Sequence, residues 1–429
     1  MSLMSAMNIA PRVLLLVENN SYPGDFRVRR EAESLRSAGC QVSVIAPRGT
    51  AQRWHDEIGG VHVYRYPAPH GGSGLLSYAF EFAYSTLAML CVAIWLSFTR
   101  GFDVIHAANP PDTLWFVGLC FKPFGKKFVF DHHDLAPEVY LSRFLKPRRN
   151  LVYHCLLWLE RCSFAVADVV ISTNESYREL AIQRGKKRPE QVFVVRNGPP
   201  LSYQPMTPDP ALLALAPHLI GYVGTIGPQD GLDHWMRALR VLVFDLGRRD
   251  VMAVVVGDGD AYDDVRALAK RLGLDPFVHF TGRLSEGEAC RCLSATTVCV
   301  QPDPLSPLND RSTMNKLMEY MALGKPTVAF DLRETRVSAQ GAALYVSPND
   351  EQAFARSVAW LLDHPGDCER MGRIGQHRVA SALAWEHSRP VLLRAYSEGL
   401  GLALPSAPSQ DMPHEAHSSA SAQRRARHP

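Results

Sequence analysis

The sequence lacks the cysteine patterns of a zinc ribbon or a disulfide-rich scaffold. Its nine cysteines are scattered through 429 residues, and no pair stands at CxxC spacing. Cys290 and Cys292 are separated by one residue, which is too tight for a usual zinc site, so we expect them to pack on a helix. An odd number of scattered thiols is typical of a reducing compartment. The sequence therefore predicts a cytoplasmic protein that needs no metal.

The sequence also lacks a strong charge of one sign. Its formal net charge is +3, which is too weak and too diffuse for a nucleic-acid-binding protein. The balance is uneven, because residues 1–200 carry a net charge of +6 and the remainder carries −3. A basic first half fits a surface near an anionic membrane. No secretory signal is predicted, since the first apolar run, Val13–Val17, has only five residues and is typical of a strand.

Only one apolar run is long, and it is Tyr78–Phe98, whose 21 residues include a single charge, Glu81. By length this run could cross a bilayer. Strands are predicted on both sides of it, however, and a spanning helix would put partners of one sheet on opposite sides of a membrane. We therefore expect a helix packed on the sheet, and contact of its outer side with the membrane interface remains open. The basic residues that could support such contact, or form an ordinary solvated face, are Lys122, Lys126, Lys127, Arg143, Lys146, Arg148 and Arg149.

Strands and helices alternate along the chain in two successive halves. The first half opens with a strand at Val13–Val17, a helix at Phe26–Ala38 and a strand at Val42–Ala46, which together form a βαβ unit. The pattern predicts an α/β protein of two Rossmann-like, doubly wound parallel-sheet domains that face each other across a cleft. The expected divisions are a first domain at 1–200, a second at 201–384, a C-terminal helix at 385–403 that crosses back toward the first domain, and a disordered tail at 404–429.

A segment that begins at Ser312 carries the strongest functional signal. Ser312 and Thr313 can cap a helix start, and Gly324 ends that helix. Lys316 and Glu319 are three residues apart, so they share one face near the helix start, where free amides and the helix dipole favour phosphate. A cation for a diphosphate and a carboxylate for both hydroxyls of a ribose would form a nucleotide-sugar site. The alternative is a surface helix with an ordinary ion pair.

Other residues of the second half could complete a donor site. Gly224, Thr225 and Gly227 lie in a turn after the first strand of this half, where the backbone can approach a diphosphate. Arg283 follows another strand and could reach a phosphate. Asn315 stands beside the predicted helix start. We expect these five residues to contact the donor together with Lys316 and Glu319.

In the first half, polar residues follow strand ends that should face the cleft. His133 comes two residues after a predicted strand end, and a histidine can hydrogen-bond a sugar hydroxyl or move a proton near neutral pH. A lone histidine is more often structural. His106 and Asn109 end a neighbouring strand, while Asp25 and Arg27 close the first loop. These last four residues are predicted to lie on the acceptor side of the site.

Taken together, these motifs resemble the retaining family-four glycosyltransferases, which have the two-domain GT-B fold. The resemblance spans Arg12–Leu400, and its last motif is similar to that of a bacterial exopolysaccharide and O-antigen branch. The motifs that carry it are DFRVRREA at 25–32, DVIH at 103–106, HDLAPE at 133–138, VRNG at 195–198, GYVG at 221–224 and NKLMEYMA at 315–322.

The resemblance implies an enzyme that moves a sugar from a nucleotide diphosphate to a growing, lipid-linked glycan, with retention at the anomeric carbon. It implies that Glu319 binds the ribose, that His133 contacts the transferred sugar and that the Gly224–Gly227 loop faces the diphosphate. With Lys316, the first two are the expected catalytic residues. No cofactor or metal is expected beyond the donor itself. We expect the enzyme to lie at the inner face of the membrane as a peripheral protein.

The chain departs from the family pattern at three positions. Many members have a second glutamate where this chain has Arg311, and an arginine and a lysine near Thr225 and Asp230. Lys316 and Arg283 are the expected substitutes for neutralising the leaving diphosphate. Two other functions stay open: a nucleotide-sugar epimerase of the same architecture, and a degenerate relative that binds a glycan or a partner transferase without turnover.

Overall fold

The chain folds into two α/β domains, each built on one largely parallel sheet. The computed structural model describes residues 10–68, 74–143 and 149–404. Lys146, Arg148 and the tail expected to be disordered beyond 404 lie outside the described residues. The predicted fold class is confirmed, since both halves alternate strands and helices and their sheets face one another across a cleft.

The sheet of the first domain has eight strands in the order β3-β4-β2-β1-β5-β6-β7-β8. All neighbouring pairs are parallel except β3 with β4, which form an antiparallel hairpin. Strand β3 was not predicted from the sequence, because its residues, His55–Ile58, are mostly polar. Gly59 and Gly60 have φ values of +56° and +77°, which suit a tight two-residue hairpin turn. The strands are β1 Arg12–Leu16, β2 Gln41–Arg48, β3 His55–Ile58, β4 Val61–Pro67, β5 Val104–Ala108, β6 Lys127–His132, β7 Val169–Ser172 and β8 Val192–Val194.

Helices cover both faces of this sheet. One face packs against α2, α3, α5 and α6, and the other packs against α1. The apolar alternation of the buried strands therefore supplies two separate cores. The helices of the first domain are α1 Phe26–Ser37, α2 Leu75–Thr99, α3 Trp115–Phe121, α4 Ala136–Arg143, α5 Leu151–Val166 and α6 Glu175–Gln183.

Helix α2 contains the long apolar run, and it lies along the sheet as expected. Met89, Ala93 and Leu96 of α2 are buried in the core. By length and composition alone, Leu76–Thr99 could also cross a membrane, and a third of its most apolar window is buried inside the protein. The strands on either side of α2, β4 and β5, belong to the same sheet, which makes a transmembrane course incompatible with this fold.

The second domain has a six-stranded parallel sheet in the order β11-β10-β9-β12-β13-β14. Its strands are β9 His218–Val223, β10 Val251–Val256, β11 Val278–Gly282, β12 Val298–Gln301, β13 Thr327–Phe330 and β14 Ala343–Val346. Its helices, together with the C-terminal helix, are α7 Pro210–Leu213, α8 Leu232–Arg240, α9 Tyr262–Arg271, α10 Glu286–Ser294, α11 Asn315–Ala322, α12 Arg333–Ala339, α13 Glu351–Asp363, α14 Pro365–Arg378 and α15 Trp385–Arg394.

The C-terminal helix α15 returns to the first domain, where Trp385, Leu392 and Tyr396 join the core beneath α1. The chain thus crosses between the domains twice, and the two crossings touch. The Trp385 amide donates to the Pro199 carbonyl at 3.0 Å. A Cβ on Gly198 would lie 1.7 Å from the Leu383 carbonyl oxygen, so only glycine permits this contact.

Candidate active site

A cavity of about 520 Å³ lies between the two domains, where the carboxyl ends of both sheets face each other. Its first-domain wall comes from the loop before α1, the loop after β6 and helix α4. Its second-domain wall comes from the loops after β9 and β11 and from residues 308–315. Of the residues predicted from sequence, those that line the cavity are Asp25, Arg27, His133, Thr225, Arg283 and Asn315.

The start of helix α11 forms part of this wall. The helix begins at Asn315 after Met314, which offers no side-chain cap, so the predicted capping by Ser312 and Thr313 is wrong. The Ser312 hydroxyl donates to the Leu308 carbonyl, and the Thr313 hydroxyl accepts from Asn174 of the first domain at 3.0 Å. Both hydroxyls thus hydrogen-bond to groups outside helix α11. The first amides of α11 therefore remain for an anion in the cavity.

Lys316 does not lie where a phosphate-binding cation should be. Its Nζ is 3.1 Å from Asp303 Oδ1 and 3.4 Å from Asp230 Oδ1, and it donates to the Tyr222 hydroxyl at 3.2 Å. Burial alone would lower the pKa of Lys316, but the adjacent carboxylates raise it well above its usual value. The lysine is 8% exposed and is not part of the cavity wall. The structure therefore contradicts the expected contact of Lys316 with the diphosphate, because two carboxylates already neutralise the charge of this lysine.

The turn after β9 keeps only part of its predicted role. The Gly224 amide donates to the Val256 carbonyl, and the Gly227 amide donates to Asp230 Oδ2 at 2.9 Å. Neither amide is available to a phosphate, and of these turn residues it is Thr225 that lines the cavity. Gly227 serves close packing instead, because a Cβ there would lie 2.7 Å from Gln229 Nε2 and 3.0 Å from Asp230 Oδ2.

Two arginines bring positive charge to the cavity from opposite domains. Arg283 follows β11 and Arg143 ends α4; both are exposed and line the cavity. Arg283 lies on the second-domain wall of the cavity, and its contact with the donor stays a prediction. From the sequence, Arg143 was predicted only as part of a basic surface cluster, because helix α4 was not predicted and its end gives no sign that it faces a cleft.

Glu319 lies one turn beyond the cavity-lining start of α11, where the two domains approach each other. It is half-buried, and burial raises its pKa to about 7, against the opposing effect of Arg30 from helix α1. Arg30 in turn donates to the Gly198 carbonyl at 2.8 Å. The carboxylate is thus at the domain boundary beside a cation of the first domain, but it is not part of the cavity wall.

His133 is held on the first-domain wall by a buried carboxylate. Its Nδ1 lies 3.1 Å from Asp131 Oδ2, and Arg27 donates to both oxygens of Asp131 at 2.7 and 2.6 Å. Burial would lower the pKa of His133, but the Asp131 carboxylate outweighs that effect and raises it. Asp131 was not among the predicted site residues. Its signal was the two-residue spacing to His133, which can bring two side chains to one side of an extended strand.

Three predicted acceptor-side residues have structural contacts instead. His106 is fully buried and pairs with the Tyr396 hydroxyl at 2.7 Å. Asn109 is 1% exposed, and its side-chain oxygen accepts from the His133 and Asp134 amides. Arg27, although part of the cavity wall, is committed to Asp131. Direct acceptor contact is therefore wrong for His106 and Asn109, because the strand ends that carry them lie under the loop of His133.

Asp25 caps helix α1 by accepting from the Val28 amide at 2.9 Å, and it also lines the cavity.

Within the described residues, one cluster has metal-ligand geometry: Glu31, His106 and Asp131. Arg27 lies 3.3 Å from Glu31 and 2.6 Å from Asp131. Its guanidinium already supplies the positive charge that a metal would bring to these carboxylates.

Each of the two domains matches a known protein family. Residues 25–198 match the glycosyl transferase 4-like domain, and residues 217–364 match the glycosyl transferases group 1 family. The chain is 29% identical over 151 residues to D-rhamnosyltransferase WbpZ of Pseudomonas aeruginosa, which covers 34% of this chain and 39% of that protein. It is 30% identical over 186 residues to 2-deoxystreptamine glucosyltransferase of Streptomyces kanamyceticus, which covers 43% and 46%. The matches thus span less than half the length of these relatives.

Solved structures share the whole two-domain architecture. Sucrose-phosphate synthase from Thermosynechococcus elongatus superposes with a TM-score of 0.75 at 19% identity, over 92% of this chain and 100% of that one. Anabaena Alr3699/HepE, solved in complex with UDP-glucose, gives 0.66 at 17% identity, over 90% and 99%. At these identities the likeness establishes the fold. The two family matches and the shared architecture show that the chain belongs to the GT-B glycosyltransferases, with a glycosyl transferase 4-like first domain and a glycosyl transferases group 1 second domain.

Proposed function

We propose that this protein transfers a sugar from a nucleotide-diphosphate donor to a glycan acceptor, with retention at the anomeric carbon. The observation that carries the proposal is the composition of the interdomain cavity. Its second-domain wall holds an uncapped helix start and Arg283, while its first-domain wall holds His133 and Arg143. Helix amides and a guanidinium on one side, with an imidazole and a second guanidinium on the other, suit a leaving diphosphate and a bound sugar.

In this proposal the diphosphate binds at the start of α11, between Arg283 and Arg143. Negative charge develops on the leaving diphosphate, and preorganised amides and guanidinium groups stabilise it without a metal. Glu319 would accept hydrogen bonds from the ribose after rotation of its side chain toward the donor. His133 offers its Nε2 to a sugar hydroxyl, because its Nδ1 is bonded to Asp131. Catalysis would come from positioning and electrostatics in a closed cleft.

The donor class rests on the relatives and the acceptor class rests on the resemblance of the sequence motifs, and both are part of the proposal. One relative is named as a rhamnosyltransferase and another as a glucosyltransferase, and HepE was solved with UDP-glucose. We propose a nucleotide sugar as donor and a lipid-linked glycan of exopolysaccharide or O-antigen synthesis as acceptor. The enzyme would then work as a peripheral protein at the cytoplasmic face of the membrane.

The test begins with donor binding. UDP-, GDP- and dTDP-sugars are added separately, and the thermal midpoint is measured, because a ligand that binds only the folded state raises it. The stabilising donor is then incubated with a lipid-linked oligosaccharide, and the anomeric configuration of the product is determined by NMR. Glu319→Ala should remove most turnover. Failure of every nucleotide sugar to stabilise the protein would contradict the proposal.

One observation favours a second candidate, a protein that binds a glycan or a partner transferase without turnover. Lys316 is neutralised by Asp230 and Asp303, so the donor side has one cation fewer than the sequence suggested. Donor stabilisation without product, across a panel of lipid-linked acceptors, would favour this candidate. An epimerase would instead convert the donor when no acceptor is present.

A further inference from the structure

The outer surface of the first domain exposes large apolar side chains on the helices that cover one face of its sheet. Phe98 of α2 is 86% exposed, Phe124 just after α3 is 74% exposed, and Leu151 of α5 is 85% exposed. Leu76 of α2 and Trp158 of α5 are also exposed, at 88% and 56%. Scattered exposed apolar residues are ordinary in soluble proteins, but such a concentration in one helical layer marks an interaction surface.

These residues belong to one continuous layer. Helix α3 lies between α2 and α5 and packs against both. The Trp115 ring of α3 meets the Trp158 ring of α5 edge to face at 6.1 Å. The Thr86 hydroxyl of α2 hydrogen-bonds that of Thr113 at 2.6 Å, just before α3. We call the outer surface of α2, α3 and α5, with Phe124, the apolar face.

The helices of the apolar face carry few carboxylates, and Asp103 and Asp168 at the nearby strand ends are paired with Lys126 and Lys122. Within the described residues, α2, α3 and α5 contain two carboxylates, Glu81 and Glu160. Glu160 is fully buried and paired with Arg184 at 2.5 Å, and Glu81 is half-buried. In contrast, Lys127, Arg149 and Arg161 are exposed at the rim of the layer. An apolar centre with aromatic groups and a cationic rim is complementary to an anionic lipid bilayer.

We propose that the apolar face docks on an anionic membrane, with α2 lying in the interface plane and not crossing it. Burial of Met89, Ala93 and Leu96 against the sheet keeps the inner side of α2 away from lipid. A second copy of the chain is a poorer occupant, because a two-fold contact would bring two cationic rims together. Bilayer phosphates provide the opposite charge.

The docking would also orient the cavity toward the membrane. Helix α4 ends at Arg143, which lines the cavity, and α5 begins eight residues later at Leu151 on the apolar face. The two helices pack against each other. A lipid-linked acceptor in the bilayer would therefore have its head group near the cavity entrance. This orientation rests on the proposed function, whereas docking itself requires no turnover.

The test is cosedimentation of the full chain with vesicles, without donor or acceptor. We expect binding to vesicles of phosphatidylglycerol and phosphatidylcholine, weak binding to phosphatidylcholine alone, and a loss with added salt. Phe98→Glu with Phe124→Glu should weaken binding at least about tenfold, because both side chains would leave the interface. The matched control is Leu213→Glu with Leu305→Glu, at exposed leucines of the second domain, which should bind like the unmodified chain.

The rim is tested separately. Lys127→Gln, Arg149→Gln and Arg161→Gln together should weaken binding to anionic vesicles about 100-fold, from about fivefold per cation. Lys270→Gln, Arg271→Gln and Arg291→Gln remove three exposed cations from the second domain and should have little effect. Thermal midpoints establish that each variant is folded.

Equal vesicle binding by the apolar-face variant and its control would overturn the proposal. So would absence of vesicle binding, or dimerisation through this face by analytical ultracentrifugation. Donor stabilisation is measured on the same samples. A chain that binds nucleotide sugar but no vesicles refutes docking alone, while one that binds vesicles but no nucleotide refutes the proposed function alone.

Discussion

At the scale of single residues, two side chains of helix α11 have environments that sequence spacing does not reveal. Lys316 and Glu319 are neighbours on the helix, but the first is enclosed by carboxylates and the second stands at the domain boundary. The partners of Lys316 are 13 and 86 residues away along the chain. Helical periodicity can place a charge on a face, but it cannot show which distant carboxylates occupy that face.

Lys316→Met should destabilise the fold by about 3–5 kcal/mol, because it leaves Asp303 and Asp230 without their cation in a buried site. Urea unfolding measures the loss. Asp303→Asn in the same chain should recover part of it, since the double variant removes the most buried unpaired charge. If Lys316→Met instead kept its stability and lost only donor affinity, Lys316 would be a phosphate ligand after all.

Glu319→Gln should change how stability depends on pH. The folded-state pKa of Glu319 is about 7 and its ordinary value is 4.5, so the folded protein holds a proton that the unfolded chain releases. This contribution is fully present below pH 4.5 and is lost as the pH rises through 7. As the pH rises from 5 to 8, the unfolding free energy of the unmodified chain should therefore fall relative to that of the variant, by up to about 3 kcal/mol.

Denaturant unfolding at both pH values measures this shift. Glu369→Gln, at an exposed glutamate of α14, is the matched control and should follow the unmodified chain. Parallel pH profiles for the unmodified chain and Glu319→Gln would show that the carboxyl is ionised in the folded protein at neutral pH.

At the scale of elements, the proposed donor site depends on how helix α11 begins. Ser312 and Thr313 make contacts across the cleft, with Tyr177 and Asn174 of the first domain. The same residues that could have capped the helix thus tie the two domains together. The helix start keeps its amides for a ligand, and the cations beside it come from other elements.

Arg283→Gln and Arg143→Gln should each weaken nucleoside diphosphate binding about tenfold, because each removes one charge-assisted contact with phosphate. Isothermal titration calorimetry measures the dissociation constants. Arg291→Gln, on the exposed side of α10, serves as the control and should leave them unchanged. If only Arg283→Gln had an effect, Arg143 would be an acceptor-side or membrane-facing residue.

Most elements were predictable because buried parallel strands are continuous apolar runs, as in Val169–Ser172 and Val298–Gln301. Helix α11 was predictable from its apolar spacing. The antiparallel strand His55–Ile58 was not, since a polar edge strand has no such run. The strand ends predicted loop positions such as His133 and Arg283, and both line the cavity. Arg143 and Asp131 required the fold, because their neighbours come from distant parts of the chain.

At the scale of the whole molecule, the C-terminal helix is part of the first domain's core. Tyr396 closes a buried chain of contacts through His106 toward Asp131 and His133. The chain end that follows the second domain thus supports the opposite wall of the cavity. Loss of packing at Tyr396 should therefore disturb the position of His133 as well as lower the global stability.

Tyr396→Phe should destabilise the protein by about 1–2 kcal/mol, because it removes the partner of a fully buried histidine nitrogen. Thermal and urea unfolding measure this loss. Tyr345→Phe removes a hydroxyl contact of the same length, 2.7 Å, that is exposed to solvent, and it should cost less than about 0.5 kcal/mol. Equal losses in the two variants would mean that the His106 contact has no special weight.

The paired crossings at Gly198 and Leu383 limit how the protein can move. Two chain segments held side by side act as one hinge, which favours rotation of the domains about it over sliding. Arg30, which contacts Gly198, and Glu319 sit close to that axis and would travel little. Arg143 and Arg283 lie on opposite walls of the cavity and would move apart as the two domains rotate away from each other. In the proposed function, a nucleoside held by Glu319 would stay near the hinge while Arg143 and Arg283 move apart and release the product.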